Sequence, residues 1–83
     1  MNLFKKLDQR TELMTTMSEK LGLDLGEEMA NFHLSPEHYR AAVLRCARCQ
    51  SVGECLAWQK GNETAEAAPA FCENRALFAE LHD

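Results

Sequence analysis

The chain contains no isoleucine, and valine occurs only at Val43 and Val52. β-Branched residues are the ones that favour strands. Their scarcity beside abundant Leu, Ala, Glu and Met points to an all-α fold. Proline occurs twice and glycine four times, which excludes collagen-like and low-complexity sequence. No stretch approaches the roughly 18 consecutive apolar residues that a membrane-spanning helix needs. The first residues, Met1 to Asp8, bring in charge at once and hold no apolar signal-peptide core, so the expected address is cytoplasmic. There is no Ser-His-Asp set, no phosphate-cradling glycine loop and no pair of carboxylates with a reason to lie close. An enzyme is therefore not expected.

What is present is a chain of ordinary globular composition, with 46% hydrophobic and 27% charged residues. Its 83 residues suffice for a single helical domain spanning 1–83, and for no more than one. At this length apolar burial roughly balances the cost of ordering the chain, so a metal or cross-link would matter. Charge is unevenly spread. Residues 1–20 carry a net +1, residues 21–39 a net −4 with no Lys or Arg, residues 40–60 a net +3 and residues 61–83 a net −4. An overall charge of −4 makes nucleic acid an unexpected partner.

Apolar spacing places the helices. Leu3, Leu7, Met14, Met17 and Leu21 recur at helical intervals, predicting an amphipathic N-terminal helix within residues 1–22, stopped by Gly22. That face is expected to form one wall of the core. A short helix follows from Leu25 to Phe32, capped by Asp24. A third begins with Ser35 as cap and Pro36 in the first turn, and its Tyr39, Ala42, Val43 and Cys46 form an apolar stripe. Ser51 and Glu54 have the form of a capping box for a fourth helix, which ends at Gly61. The last is expected from about Pro69 to Leu81, with Cys72 in its first turn and Phe71, Leu77, Phe78 and Leu81 on one face. The architecture expected is thus a compact bundle of about five short helices.

The unusual feature is Cys46, Cys49, Cys55 and Cys72, spaced C-x2-C-x5-C-x16-C. Cytoplasmic thiols are kept reduced, which favours a metal or redox site over a disulfide framework. Cys46 and Cys49 are three residues apart, so one helix turn can aim both at one centre. Three of the four cysteines share the net-basic stretch, where Arg45 and Arg48 could offset thiolate charge. Trp58 and Phe71 could shield the site from water, and Asn74 could hydrogen-bond the loop or a sulfur. Three readings remain open: a [4Fe–4S] cluster, which tolerates irregular spacing; a closed four-thiolate Zn2+ site; and disulfides or plain buried thiols. His33, His38 and His82 read as surface residues.

Two resemblances bear on these readings. The segment from Arg45 to Trp58, with its C-x2-C-x5-C followed by Leu and an aromatic, resembles the cluster segment of the WhiB-like iron–sulfur regulators. Endonuclease III-type DNA glycosylases close their cluster loop with the same triplet. The likeness implies a [4Fe–4S] ligand set. It does not imply DNA binding, because Cys72 follows the triplet instead of preceding it, and the Gly-Trp turn and basic tail are missing. Over its whole length the chain resembles a family of small uncharacterised alphaproteobacterial proteins, a domain-of-unknown-function family. The shared frame is Leu13-Met14-Thr-Thr-Met17, the Leu21 to Leu25 segment, Arg-Cys-x-x-Cys, Cys-x-x-Trp and the Ala68 to Asn74 segment.

The expectation is therefore an all-α domain whose residues 35–83 gather around a four-cysteine metal site. The first reading is a small iron–sulfur protein for electron transfer or redox sensing, with a redox or regulatory protein as partner. The second is a zinc-stapled interaction module. The sequence sets no oligomeric state.

Overall fold

Five helices account for the regular structure of the computed structural model, which describes residues 3–82. They are α1 (Leu3–Lys20), α2 (Leu25–Ala30), α3 (Pro36–Arg48), α4 (Val52–Gly61) and α5 (Arg75–His82), and no strand occurs among the described residues. α1 is the longest and packs against α3 and α4. Its buried residues are Met14, Met17 and Ser18. The first turn stays in solvent, with Leu3 60% and Phe4 79% exposed. The apolar stripe expected along α1 is therefore buried from Met14 onward, half-buried at Leu7 and open at Leu3.

α1 ends in a two-bond turn. Leu23 N–H donates to Ser18 O at 2.9 Å and Gly22 N–H to Glu19 O at 3.0 Å. Gly22, at φ +76°, supplies the left-handed residue this turn requires. α2 starts as expected, with the Asp24 side chain accepting from Glu27 N–H at 3.1 Å. It stops two residues before the expected Phe32. The same turn closes it: His33 N–H donates to Glu28 O at 2.8 Å and Phe32 N–H to Met29 O at 3.1 Å. Here the left-handed position is held by Phe32, at φ 62°.

α3 begins where the sequence places it, the Ser35 hydroxyl oxygen accepting from His38 N–H at 3.1 Å. Ser51 precedes α4, but its side chain makes no cap bond, so the expected capping box is not formed. The last helix is the main correction. It starts at Arg75, not near Pro69, because the chain first makes two successive tight turns: Cys72 N–H to Pro69 O at 3.0 Å and Arg75 N–H to Cys72 O at 3.2 Å. Phe71 and Cys72 therefore lie in a turn and not on a helix face.

The core is made by Met14, Met17, Leu21, Leu34, Ala42 and Phe78, each no more than 3% exposed. Tyr39, Val43, Trp58, Leu77 and Leu81 pack around it. Three polar side chains are also buried: Ser18, Gln59 and Asn74. Among the described residues no buried side-chain polar atom lacks a hydrogen-bond partner, as a stable interior demands.

Candidate functional site

Three separate segments bring the cysteines together. Cys46 sits in the last turn of α3. Cys49 is the residue that ends α3, in extended backbone at φ −62°, ψ 132°, so the chain turns away there toward Ser51. Cys55 is on the first turn of α4 and is 8% exposed. Cys72 is delivered by the paired turns before α5. All four line one cavity of about 30 Å3, whose walls include Leu13, Met14, Met17, Phe71 and Phe78. Each thiol lies near enough to the other three to interact electrostatically. None is joined in a disulfide. Among the described residues, no three Cys, His, Asp or Glu side chains stand in the arrangement of a single-ion site. The four cysteines thus line a common space.

The apolar walls explain the protonation. Burial pushes the Cys46 thiol from 9.0 up to about 11, opposed by the Arg10 cation and reinforced by the three other thiols. Burial also raises Cys55, with the Cys72 and Cys49 thiols adding to it and a hydrogen bond from Gln59 opposing. Burial raises Cys72 as well, opposed by the backbone N–H of Asn74, with Cys49 and Glu73 adding. In the metal-free protein these three groups are neutral thiols at pH 7, and a metal that takes them displaces protons.

Hydrogen bonds aim at three of the sulfurs. Ser51 N–H donates to Cys49 Sγ at 3.3 Å. Gln59 Nε2 donates to Cys55 Sγ at 3.6 Å and to Leu13 O at 3.0 Å. Asn74 N–H donates to Cys72. Such donors favour the thiolate over the thiol. The fourth thiol, Cys46, donates to the Arg10 carbonyl at 3.5 Å. Arg10 returns the contact through Nη1, which donates to the carbonyl oxygens of Cys46 and Cys49. Its guanidinium thereby sits at the C-terminal end of α3, where a cation suits the helix dipole.

The residues that the sequence singled out around the cysteines are placed unequally. Asn74 is 3% exposed and ties the site together: its Nδ2 donates to Ala42 O at 2.9 Å, and its Oδ1 accepts from Arg45 Nε at 2.8 Å. Phe71 lines the cavity. Trp58 packs against the core but is not part of the cavity wall. Arg48 is exposed and stands outside the wall as well. His33 lies at the surface beside Glu28, with Nδ1 to Oε1 at 3.3 Å.

Arg10 and Gln59 were not singled out from the sequence, and each had a signal. Leu3, Leu7, Met14, Met17 and Leu21 leave one gap in a strict four-three alternation, and Arg10 fills it. A charged residue on an apolar stripe needs a partner. Gln59 follows Cys55 by four and so shares its face of α4.

No curated protein and no solved structure matches the chain. A family model does match, over residues 1–83. The chain belongs to that family, DUF6455, a family of unknown function.

Proposed function

We propose that this chain is a small iron–sulfur protein in which Cys46, Cys49, Cys55 and Cys72 hold a [4Fe–4S] cluster for electron transfer or redox sensing. The observation that carries the reading is the convergence of four reduced thiols, from three segments, on one apolar cavity. The donor set fits the group, since four soft sulfurs suit iron–sulfur chemistry. The irregular spacing of the four cysteines favours a multi-iron group over a single metal. The C-x2-C-x5-C segment resembles known cluster segments, which supports the same choice. Hydrogen bonds from Ser51, Gln59 and Asn74, and the Arg10 cation, would offset the charge of the bound group. When bound, that group would supply one-electron exchange.

The shape of the protein suits such a role. The Cα trace measures 36 × 27 × 16 Å, so no residue lies far from the surface. A short path to the surface is what an electron carrier needs. The role requires no substrate pocket, and the partner expected is a protein, with nucleic acid disfavoured by the net charge of −4. We read the protein as cytoplasmic and non-enzymatic.

One observation favours the second reading, a Zn2+ staple for an interaction module. The cavity is small, about 30 Å3, so a cluster would displace the cysteine side chains further than one ion would. A single experiment separates the two. The protein is purified without oxygen, and iron, sulfide and zinc are assayed on the sample whose absorption spectrum is recorded. The cluster reading expects a brown protein with about four irons and four sulfides per chain, and an electron paramagnetic resonance signal on reduction. One zinc and no colour would replace it with the staple. A folded, metal-free protein would remove both.

A further inference from the structure

The face of α3 turned away from the core has a pattern that the four-cysteine site does not use. Ala42 and Cys46 point inward, and at 100° per residue the opposite side of the helix carries Glu37, Ala41, Leu44 and Arg48. Glu37 and Arg48 are exposed, and Leu44 is 47% exposed. Read along the axis, the stripe runs acid, small, apolar, base. An antiparallel copy of the same stripe reverses that order. Glu37 then meets Arg48, and Ala41 meets Leu44, at every position and in both directions. The small side chain of Ala41 leaves room for the Leu44 of the facing helix. The pattern is self-complementary about a twofold axis passing between residues 42 and 43, which is the requirement of an isologous interface.

A second observation lies at the acidic end of the same stripe. Phe32, four residues before Pro36, is 94% exposed. It holds the left-handed position that closes α2, at φ 62°, where the matching turn after α1 has Gly22. A bulky side chain there strains the backbone and buries nothing within its own chain. An antiparallel partner brings the arginine end of its α3 to this end, and an Arg face on an aromatic ring is a favourable contact.

We propose that the outer face of α3 is a homodimer interface, the occupant being a second copy of this chain packed antiparallel about a twofold axis. The inference does not depend on what the cysteines hold. The contact is one helix per chain, so the dimer is weak, and it forms over the micromolar-to-millimolar range common to small interfaces.

The test is a charge swap, read as mass by sedimentation equilibrium on the full chain as purified, from about 10 μM to about 1 mM. The wild type is expected to shift with concentration from 9.4 kDa toward twice that mass. Glu37→Arg sets like charges opposite each other across the axis, and so does Arg48→Glu. Each alone is expected to raise the dissociation constant at least tenfold. The double variant, E37R with R48E, restores the attraction with the signs exchanged and is expected to recover dimerisation. Phe32→Gly weakens the dimer while leaving the monomer folded by circular dichroism. A wild-type protein that stays monomeric throughout overturns the proposal. So does a dimer that ignores both single substitutions, or single-variant losses that the double variant does not repair.

Discussion

Asn74 is the side chain on which the joint between α3 and the Cys72 turn depends, and its loss has a calculable cost. Its Nδ2 donates to Ala42 O at 2.9 Å and its Oδ1 accepts from the Arg45 guanidinium at 2.8 Å. A neutral buried hydrogen bond is worth about 1 kcal/mol and one to a charged group about 1.5–3 kcal/mol. Arg45 is half-buried, so water recovers part of its share when the partner is removed. The expected cost of Asn74→Ala is therefore about 2 kcal/mol. That is a large fraction of the roughly 4–12 kcal/mol available to a domain of this length, and it lowers Tm by about 8–16 °C. Alanine keeps the backbone N–H that donates to Cys72, so the change reports the side chain alone. Arg45→Met removes only the charged bond and is expected to cost about 1 kcal/mol. Urea unfolding of the reduced, metal-free protein gives both values, and the double variant gives their coupling. The reasoning requires a coupling of about 1 kcal/mol, well above the scatter of independent sites. It is refuted if Asn74→Ala costs less than about 0.5 kcal/mol, or if the two substitutions are simply additive.

The two helix-closing turns make opposite predictions. A Cβ added at Gly22 meets no atom within 4 Å, so Gly22→Ala is opposed by backbone strain alone and is expected to destabilise by about 1–2 kcal/mol. Phe32→Gly relieves the same strain and is expected to stabilise the monomer by up to about 1 kcal/mol, the unfolded-state entropy of glycine offsetting the rest. Thermal unfolding at low protein concentration checks both, and equal signs would contradict the account. The metal-free protein is also expected to lose stability in alkali. Folding raises the Cys46 thiol from 9.0 to about 11, so the native state holds that proton more tightly than the unfolded chain. The contribution is complete below pH 9 and is lost as pH rises toward 11. Urea midpoints at pH 8 and pH 10.5 should differ, and Cys46→Ala should shrink the difference; an unchanged slope in that variant would assign the loss to other groups.

Helices were legible in the sequence where a local signal fixed them. The Asp24 and Ser35 caps and the Gly22 stop place the end of α1 and the starts of α2 and α3 within a residue. The misses are tertiary. Pro69 followed by Ala and Phe reads as a helix start, yet the chain there is drawn into turns that set Cys72 against the cavity while the Asn74 side chain reaches Ala42 instead of capping α5. Phe32 reads as the end of α2's apolar face, but the helix closes on it with the side chain in solvent. Trp58 and Arg48 are near the cysteines in sequence and not in the cavity wall: Trp58 packs against the core and α3 leaves Arg48 exposed. The grouping of four thiols could be posed from spacing, but no local rule shows that Arg10, 36 residues from Cys46, closes the same site.

Arg10 also bears on which contacts a metal-bound form, of the kind proposed, could keep. In the thiol form Cys46 donates to the Arg10 carbonyl at 3.5 Å, while the Arg10 guanidinium donates to the carbonyls of Cys46 and Cys49. The two residues are thus joined in both directions. A thiolate has no proton to donate, so if Cys46 were a ligand, as proposed, the first of these bonds would be lost. The guanidinium bonds involve no sulfur proton and could persist in such a form. α1 would then stay joined to the cysteine segment through the Arg10 side chain. The stripe position that looks like a defect in an apolar helix is thus the one whose contacts a metal-bound form of the proposed kind could keep.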